Sequence, residues 1–259
     1  MKKPSVRQLG FTLVEMLIVI TIILVLAAVL FPTITRMKDR AAATGCASNM
    51  RQCIVMGNMF AAEQNGSLPR LQIQNSMMNS HTGKDPLPVD ERIVNNPNAS
   101  FWPDQLTTYA EGASMFSCPK LKNPATAGAG GGKSNRCPLG IGINWPAMAP
   151  NNGTTGDGAA SFTRTRLSAV PDPSRVVWFA DASAEVAGEW KERPDLANAG
   201  SCFIRGNSVD GICAIPRHGG KINVGFVDGH VELVDPNQID WGPRDTTRTY
   251  IGYTMFTAP

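Results

Sequence analysis

The sequence predicts an α+β fold in which one long N-terminal α-helix packs on a small antiparallel β-sheet. Three observations lead there. The run from Phe11 to Phe31 is apolar on every side apart from Thr12, Glu15 and Thr21. Helix-forming sequence then continues past Pro32 to a stop signal at Asn65-Gly66. Near the other end, residues 221–234 alternate apolar and polar types about Asp228-Gly229, the pattern of a hairpin. At 259 residues, with 42% hydrophobic and 17% charged, the chain is long enough for one further globular domain beyond the first helix.

The N-terminal run rises roughly 31 Å as a helix, about the hydrocarbon thickness of a bilayer. A basic start (Lys2, Lys3, Arg7) precedes it. A cleaved secretory signal would have a shorter apolar core and a small-x-small cleavage site, whereas this run ends in Leu30-Phe31-Pro32. A plain uncleaved anchor accounts for the length but not for Glu15. A carboxylate inside a spanning segment is costly and calls for a partner. Glu15 falls in the first turns, where the helix dipole favours an anion, and four residues from Phe11, on the same face.

Gly10-Phe11-Thr12-Leu13-Val14-Glu15 resembles the processing site of type IV prepilins and type II secretion pseudopilins. The resemblance implies that residues 1–10 are a leader held in the cytoplasm. It implies that prepilin peptidase cuts between Gly10 and Phe11, and that Phe11 is then N-methylated. Glu15 would meet the terminal amine of a neighbouring subunit during assembly, and Pro32 would stand where many pilins carry a helix-bending proline. The expected organisation is a leader over 1–10, a transmembrane helix over 11–31, an amphipathic continuation over 32–66 and a globular domain over 67–259. The family has this same lollipop shape.

Beyond the span, Pro32 removes one backbone donor and should bend the helix without ending it. Ile34, Met37, Ala41, Ser48 and Val55 keep a loose one-sided spacing among Arg36, Lys38, Asp39, Arg40 and Arg51. Gly45 weakens this stretch by about 1 kcal/mol. The net charge of +3 resides in the leader, and no basic stripe comes after it that would suggest nucleic acid. Basic residues flank the span on both sides, so orientation rests on the resemblance.

The six cysteines depend on compartment, and a domain outside the cytoplasm permits disulfides. Cys46 and Cys53 lie too far apart along one helix to bridge each other and are expected packed or free. Cys118–Cys137 and Cys202–Cys213 are the sequence-local pairs, though four cysteines allow three connectivities. A zinc site is the rival, without the support of a C-x-x-C pair.

From Ser67 to Pro173 the chain is rich in Pro, Gly and Asn. Pro103 to Glu111 reads as a short helix with proline at its first position. Phe116 to Pro119 and Ile141 to Asn144 read as short extended pieces, and 128–133 and 151–158 as loops. The glycine run before Lys133-Ser134 lacks the offset and the preceding strand of a phosphate loop. Arg175 to Asp181 is strand-like, and a long excursion from Ala184 to Pro216 separates it from the hairpin.

Across a two-residue type I′ turn at Asp228-Gly229, Phe226 would face Val231 and Val224 would face Leu233. With Ile222 these make one apolar face, expected to bury against the long helix. His218, nine residues, then Asp228-Gly229 resembles the H-x9-D-G motif of a large group of prepilin-like proteins. Cys118-Pro119, Asn144, Pro173-Ser174 and Asp181 also look like that group's looser pattern.

His218, Asp181, Asp228 and His230 have the residue types of a metal or acid–base cluster. The plainer reading gives Asp228-Gly229 the turn and His218 a hydrogen bond to the loop feeding the strand. No serine lies in a nucleophile elbow. Major pseudopilins bind calcium near the C-terminus, and Asp228, Asp235, Asp240 and Asp245 offer hard oxygen ligands there, without EF-hand spacing. No other cofactor is expected.

Together these readings describe a non-enzymatic filament subunit in the bacterial inner membrane with its domain outside. Its expected partners are prepilin peptidase, copies of itself, other pseudopilins and the inner-membrane assembly platform. The rival is a membrane-tethered binding module or enzyme exported by the prepilin route, with Trp102 and Trp145 on its candidate surface.

Overall fold

The computed structural model describes residues 12–74, 99–121, 139–144, 166–170, 172–183, 200–201, 203–204 and 215–239. The loops expected at 128–133 and 151–158, and most of the 184–216 excursion, lie outside the described residues. The chain divides into two compact units, Met1–Ala41 and Ala42–Pro259. Helix α1, Leu13–Glu63, contributes to both and contains Pro32 within it.

In the first unit every residue from Thr12 to Lys38 is exposed. Thr21, Thr33 and Thr35 turn their hydroxyls back on carbonyls three or four residues earlier, so these polar groups are satisfied within the helix. Length and composition suffice for this helix to cross a membrane.

In the second unit, α1 buries Ala43, Cys46, Met50, Cys53, Ile54, Gly57, Phe60 and Ala61. The spacing is that of one helix face. It is not the face expected from the spacing of Ile34, Met37, Ala41, Ser48 and Val55: Ala41 and Ser48 are exposed, and Val55 is 57% exposed. Apart from Ile54 and Phe60, the buried stripe is made of small and sulfur-containing side chains, which carry a weak hydrophobic signal but permit close approach. The helix stops as expected. Asn65 and Gly66 take positive φ, and the Gly66 N–H donates to the Ala61 carbonyl at 2.7 Å, a Schellman closure.

The main sheet has five strands: β3 (Ile141–Asn144), β4 (Val177–Asp181), β5 (Phe203–Ile204), β6 (Ile222–Phe226) and β7 (Val231–Val234), in the order β5-β3-β4-β6-β7. A separate antiparallel pair joins β1 (Gln72–Gln74) and β2 (Ala99–Phe101), which leads directly into α2 (Trp102–Leu106). The α+β class holds, but the sheet is mixed, because β5 runs parallel to β3. The expected short helix at Pro103 is present as α2 followed by a 3₁₀ turn over Thr107–Tyr109. Phe116 is not extended; it ends a 3₁₀ turn over Ala113–Phe116.

Both faces of this sheet carry core. One face gathers Ile141, Ile143, Trp178 and Phe179 with the buried stripe of α1 and with Trp102 and Phe116. The other gathers Val177, Ala180, Ala182, Ile204, Ile222, Val224 and Phe226 with Ile239. A register shift in β4 between Val177 and Phe179 breaks the two-residue alternation. Trp178 and Phe179 therefore pack in the same cluster, stacked at 5.2 Å. The bulge also reverses the phase of the remainder of β4, so Asp181 comes onto the α1 side.

The hairpin is where expected, in a different register. Gly225 pairs with Val231 and Asn223 with Leu233, one residue out of the predicted pairing. The loop holds three residues, Val227 to Gly229, closed by Phe226 N–H to the His230 carbonyl, with Gly229 at φ +105. The tight turn with two positive-φ residues lies instead at Gly219-Gly220, between His218 and Lys221. The slip exchanges faces. Gly225 and Asn223 meet α1: a Cβ on Gly225 would stand 2.9 Å from Ile54 Cδ1, and Asn223 Nδ2 donates to the Ala43 carbonyl at 3.2 Å. Ile222, Val224 and Phe226, expected against the helix, pack on the other face. Leu233, expected in the core, is 42% exposed.

Candidate functional site

Two places carry chemistry. The first is the start of α1. Thr12 N–H and Thr12 Oγ1–H both donate to Glu15 Oε2, at 2.8 and 2.7 Å, and the Glu15 N–H donates to Thr12 Oγ1 at 3.2 Å. This is a reciprocal capping box, written in the sequence as T-x-x-E. It gives Glu15 a partner within its own chain, in addition to the neighbour's amine expected from the resemblance. Both bonds to the carboxylate fall on Oε2, and the side chain stays exposed, so Oε1 lies outside the box. Gly10 and Phe11 lie outside the described residues.

The second place is buried in the domain, where four segments converge. Cys46 comes from α1. Cys118 follows the Ala113–Phe116 turn, which Asn49 holds to the helix by donating to the Ser117 carbonyl at 2.8 Å. Asp181 ends β4, turned toward α1 by the bulge. His218 begins the tight Gly219-Gly220 turn that feeds β6. Gly45 lets the Cys118-Pro119 corner come close: a Cβ there would stand 3.2 Å from Pro119 Cγ.

Within the cluster, the Cys46 thiol donates to Asp181 Oδ1 at 3.1 Å. His218 Nε2 lies 3.4 Å from Asp181 Oδ2 and 3.5 Å from Cys118 Sγ. The Asn223 N–H donates to Asp181 Oδ2 at 2.6 Å, and Arg217 Nη1 stands 3.7 Å from Asp181 Oδ1. Arg217 also donates to the carbonyls of Gly140 and Ala182, which fixes its guanidinium beside the acid. A buried carboxylate needs such pairing.

The cluster sets its own protonation. The hydrogen bond with Cys118, burial and the Asp181 charge push the Cys46 thiol far up. Cys118 goes the other way: the hydrogen bond from Cys46, then those of His218 and the Arg217 charge, outweigh burial and hold it at about 5. Burial opposes charge on His218, but the hydrogen bonds to Asp181 and Cys118 prevail and raise it to about 9. Cys118 is thus the more acidic of the two thiols, and His218 Nε2 stands between its sulfur and the Asp181 carboxylate.

The four-residue grouping weighed from the sequence splits in two. His218 and Asp181 are together in the core, and their companions are Cys46 and Cys118. Asp228 and His230 are partners at the surface, where the His230 ring stacks on Phe226 at 4.1 Å. The His218 side chain does not hold the loop that feeds β6; its backbone does that, through the bonds with Lys221. Asp228-Gly229 does make a turn, stitched to the turn that precedes β4 by Asp228 N–H donating to the Pro173 carbonyl. The H-x9-D-G spacing is thus one strand, measured from the buried cluster to the loop at its far end.

Of the suggested calcium ligands, Asp235 caps a 3₁₀ turn by accepting from the Asn237 N–H, and Asp240 and Asp245 lie outside the described residues. Cys46, Cys53 and Cys118 are free thiols. The Cys118–Cys137 bridge is therefore not formed: Cys118 faces Cys46 and His218 in the core. Cys137, Cys202 and Cys213 lie outside the described residues, as does Trp145. Trp102, expected at an exposed surface, is fully buried against Phe116 and Phe179.

Residues 6–31 match the family described as the prokaryotic N-terminal methylation motif. Over 51 residues the chain is 45% identical to the competence protein ComGC of Halalkalibacterium halodurans, covering 20% of this chain and 50% of that protein. The chain thus spans about half the length of the curated relative it matches. No solved structure matches it. The N-terminus carries a type IV pilin-like prepilin signal, and its apolar helix is that of a membrane-anchored protein.

Proposed function

We propose that this protein is a non-enzymatic, pilin-like subunit of a filament of the type II secretion or type IV pilus kind. Prepilin peptidase cuts between Gly10 and Phe11, Phe11 is methylated, and the subunit polymerises through α1 with its domain on the extracytoplasmic side. Other pseudopilins and the inner-membrane platform are its partners in assembly. The name of the relative, a competence protein, makes a DNA-uptake filament the neighbouring reading.

The observation that carries the proposal is the exposed, apolar first part of α1 with one carboxylate at its start. Lipid and a filament core are equally apolar, so greasiness by itself does not favour assembly. Register needs a directional contact. Glu15 Oε2 is engaged by its own capping box, and Oε1 is placed to accept from the amine of a neighbour. Glu15→Ala is expected to insert and be processed normally but to leave subunits unassembled, read by filament shearing and membrane fractionation. Filaments in normal number from that variant would overturn the pairing role.

A further inference from the structure

We propose that Cys46, Cys118, Asp181 and His218 form a closed structural site for a borderline-soft divalent ion of the zinc class. The four ligand atoms all lie within 4.8 Å of one another, and all four residues are buried. A tetrahedral site with metal–ligand bonds of about 2.0–2.3 Å has ligand–ligand edges of about 3.3–3.8 Å. The observed separations are 3.1 Å for Cys46 Sγ to Asp181 Oδ1, 3.4 Å for Asp181 Oδ2 to His218 Nε2, and 3.5 Å for Cys118 Sγ to His218 Nε2. Asp181 enters these distances through both of its oxygens, and the widest separation in the group is bounded by 4.8 Å, so the cage closes on an ion by side-chain shifts of about 1 Å.

Hydrogen bonding satisfies this group poorly. His218 Nε2 has one proton or one lone pair, yet it faces both a carboxylate and a sulfur. Its Nδ1 is buried without a hydrogen-bond partner. An ion at the centre would engage Nε2, both sulfurs and the carboxylate at once. Two thiolates and an imidazole select zinc-class ions over calcium or magnesium.

Charge also balances. Two thiolates, the Asp181 carboxylate, the Arg217 guanidinium and a divalent cation sum to zero, which a buried site requires. Ligation requires both sulfurs as thiolates and His218 Nε2 with its lone pair free, and the protons these atoms carry beforehand pass to solvent. Asn223 N–H and Arg217 hold the carboxylate from outside, the usual second layer of a metal site. Four protein ligands leave no open position, so the role is to tie α1, the Cys118 corner, β4 and the His218 turn together.

The test uses the full chain, extracted in detergent under reducing conditions and supplied with zinc. Elemental analysis should find about one zinc ion per chain, and removing it with chelator should lower the thermal midpoint. Cobalt(II) loaded in its place should show thiolate-to-metal charge transfer and the visible bands of tetrahedral coordination. Cys118→Ser and His218→Gln should lose the metal, while Cys53→Ser, a buried thiol outside the cluster, should keep it. If the variants do not fold, the cobalt spectrum of the unaltered chain decides. A cobalt spectrum without thiolate bands, a reduced and folded chain that retains no zinc, or a Cys46–Cys118 disulfide in protein taken from the extracytoplasmic compartment would each overturn the proposal.

Discussion

Replacing Gly225 with valine tests the face of β6 on which the helix lies. A Cβ at this position stands 2.9 Å from Ile54 Cδ1 and 3.0 Å from Met50 Cγ, and both residues are at most 1% exposed. Valine adds two further methyl groups where the first carbon already overlaps. Overpacking of this kind costs about 1–3 kcal/mol, and the better strand propensity of valine returns less than about 1 kcal/mol. The expected net loss is about 1–2 kcal/mol. Urea unfolding of the full chain in detergent, followed by the emission of the buried Trp102 and Trp178, reads it directly. Adding Met50→Ala to the variant should make the pair less costly than the sum of its parts by about 1 kcal/mol, since the two side chains contend for one space. Gly112→Ala is the control: its backbone is extended, nothing stands within 4 Å of its Cβ, and stability should change by less than about 0.5 kcal/mol. A Gly225→Val chain as stable as the parent, or strict additivity with Met50→Ala, would refute the contact and restore the opposite face to the helix.

Two further substitutions probe the same packing. Phe226→Ala should cost about 3–5 kcal/mol and Leu233→Ala less than about 1, because Phe226 is 1% exposed and Leu233 42%; a Leu233→Ala loss in urea melts as large as that of Phe226→Ala would favour the pairing expected from sequence, which buries both. Gly57→Ala gains about 1 kcal/mol of helix propensity but sets a Cβ 2.6 Å from Trp178 Cη2, whose ring is stacked on Phe179, so a net loss of about 1–2 kcal/mol with a shift in tryptophan emission is expected, and a stabilised variant would contradict the approach of α1 to β4.

The parts of the fold legible in the sequence are those set by local rules. A membrane-length apolar run, a Schellman stop at Asn65-Gly66, the proline-started α2 and the strands at Ile141 and Val177 each carry their own signal within a few residues. The hairpin was legible in place but not in register. Asp228-Gly229 and Gly219-Gly220 are both good turn pairs, and the second takes the two-residue form. Alternation did not decide between the faces of β6, because all five of its residues are buried. The helix face was obscured for a related reason: Cys46, Cys53 and Gly57 lie between Met50, Ile54 and Phe60 on the buried face, while Val55 is left outside. The Glu15 capping box is written in four consecutive residues, Thr12 to Glu15; the helix dipole accounts for an acid in the first turn, but the reciprocal bonds with Thr12 also depend on where the helix begins.

The buried cluster was the least legible. Cys46 and Asp181 are 135 residues apart in sequence, and Cys118 and His218 are 100 apart. A site assembled from four segments leaves no spacing motif. Moreover, Asp181 reaches the helix side through a bulge that residue types do not announce. The resemblance singles out His218, Cys118 and Asp181 one by one, without bringing them together, and does not touch Cys46.

Mass spectrometry of the N-terminus, on protein co-produced with prepilin peptidase, tests the central claim most directly. A chain that begins at Phe11, shortened by residues 1–10 and carrying one added methyl group, is the result expected. A chain that keeps Met1 to Gly10 in the presence of the active peptidase would contradict it.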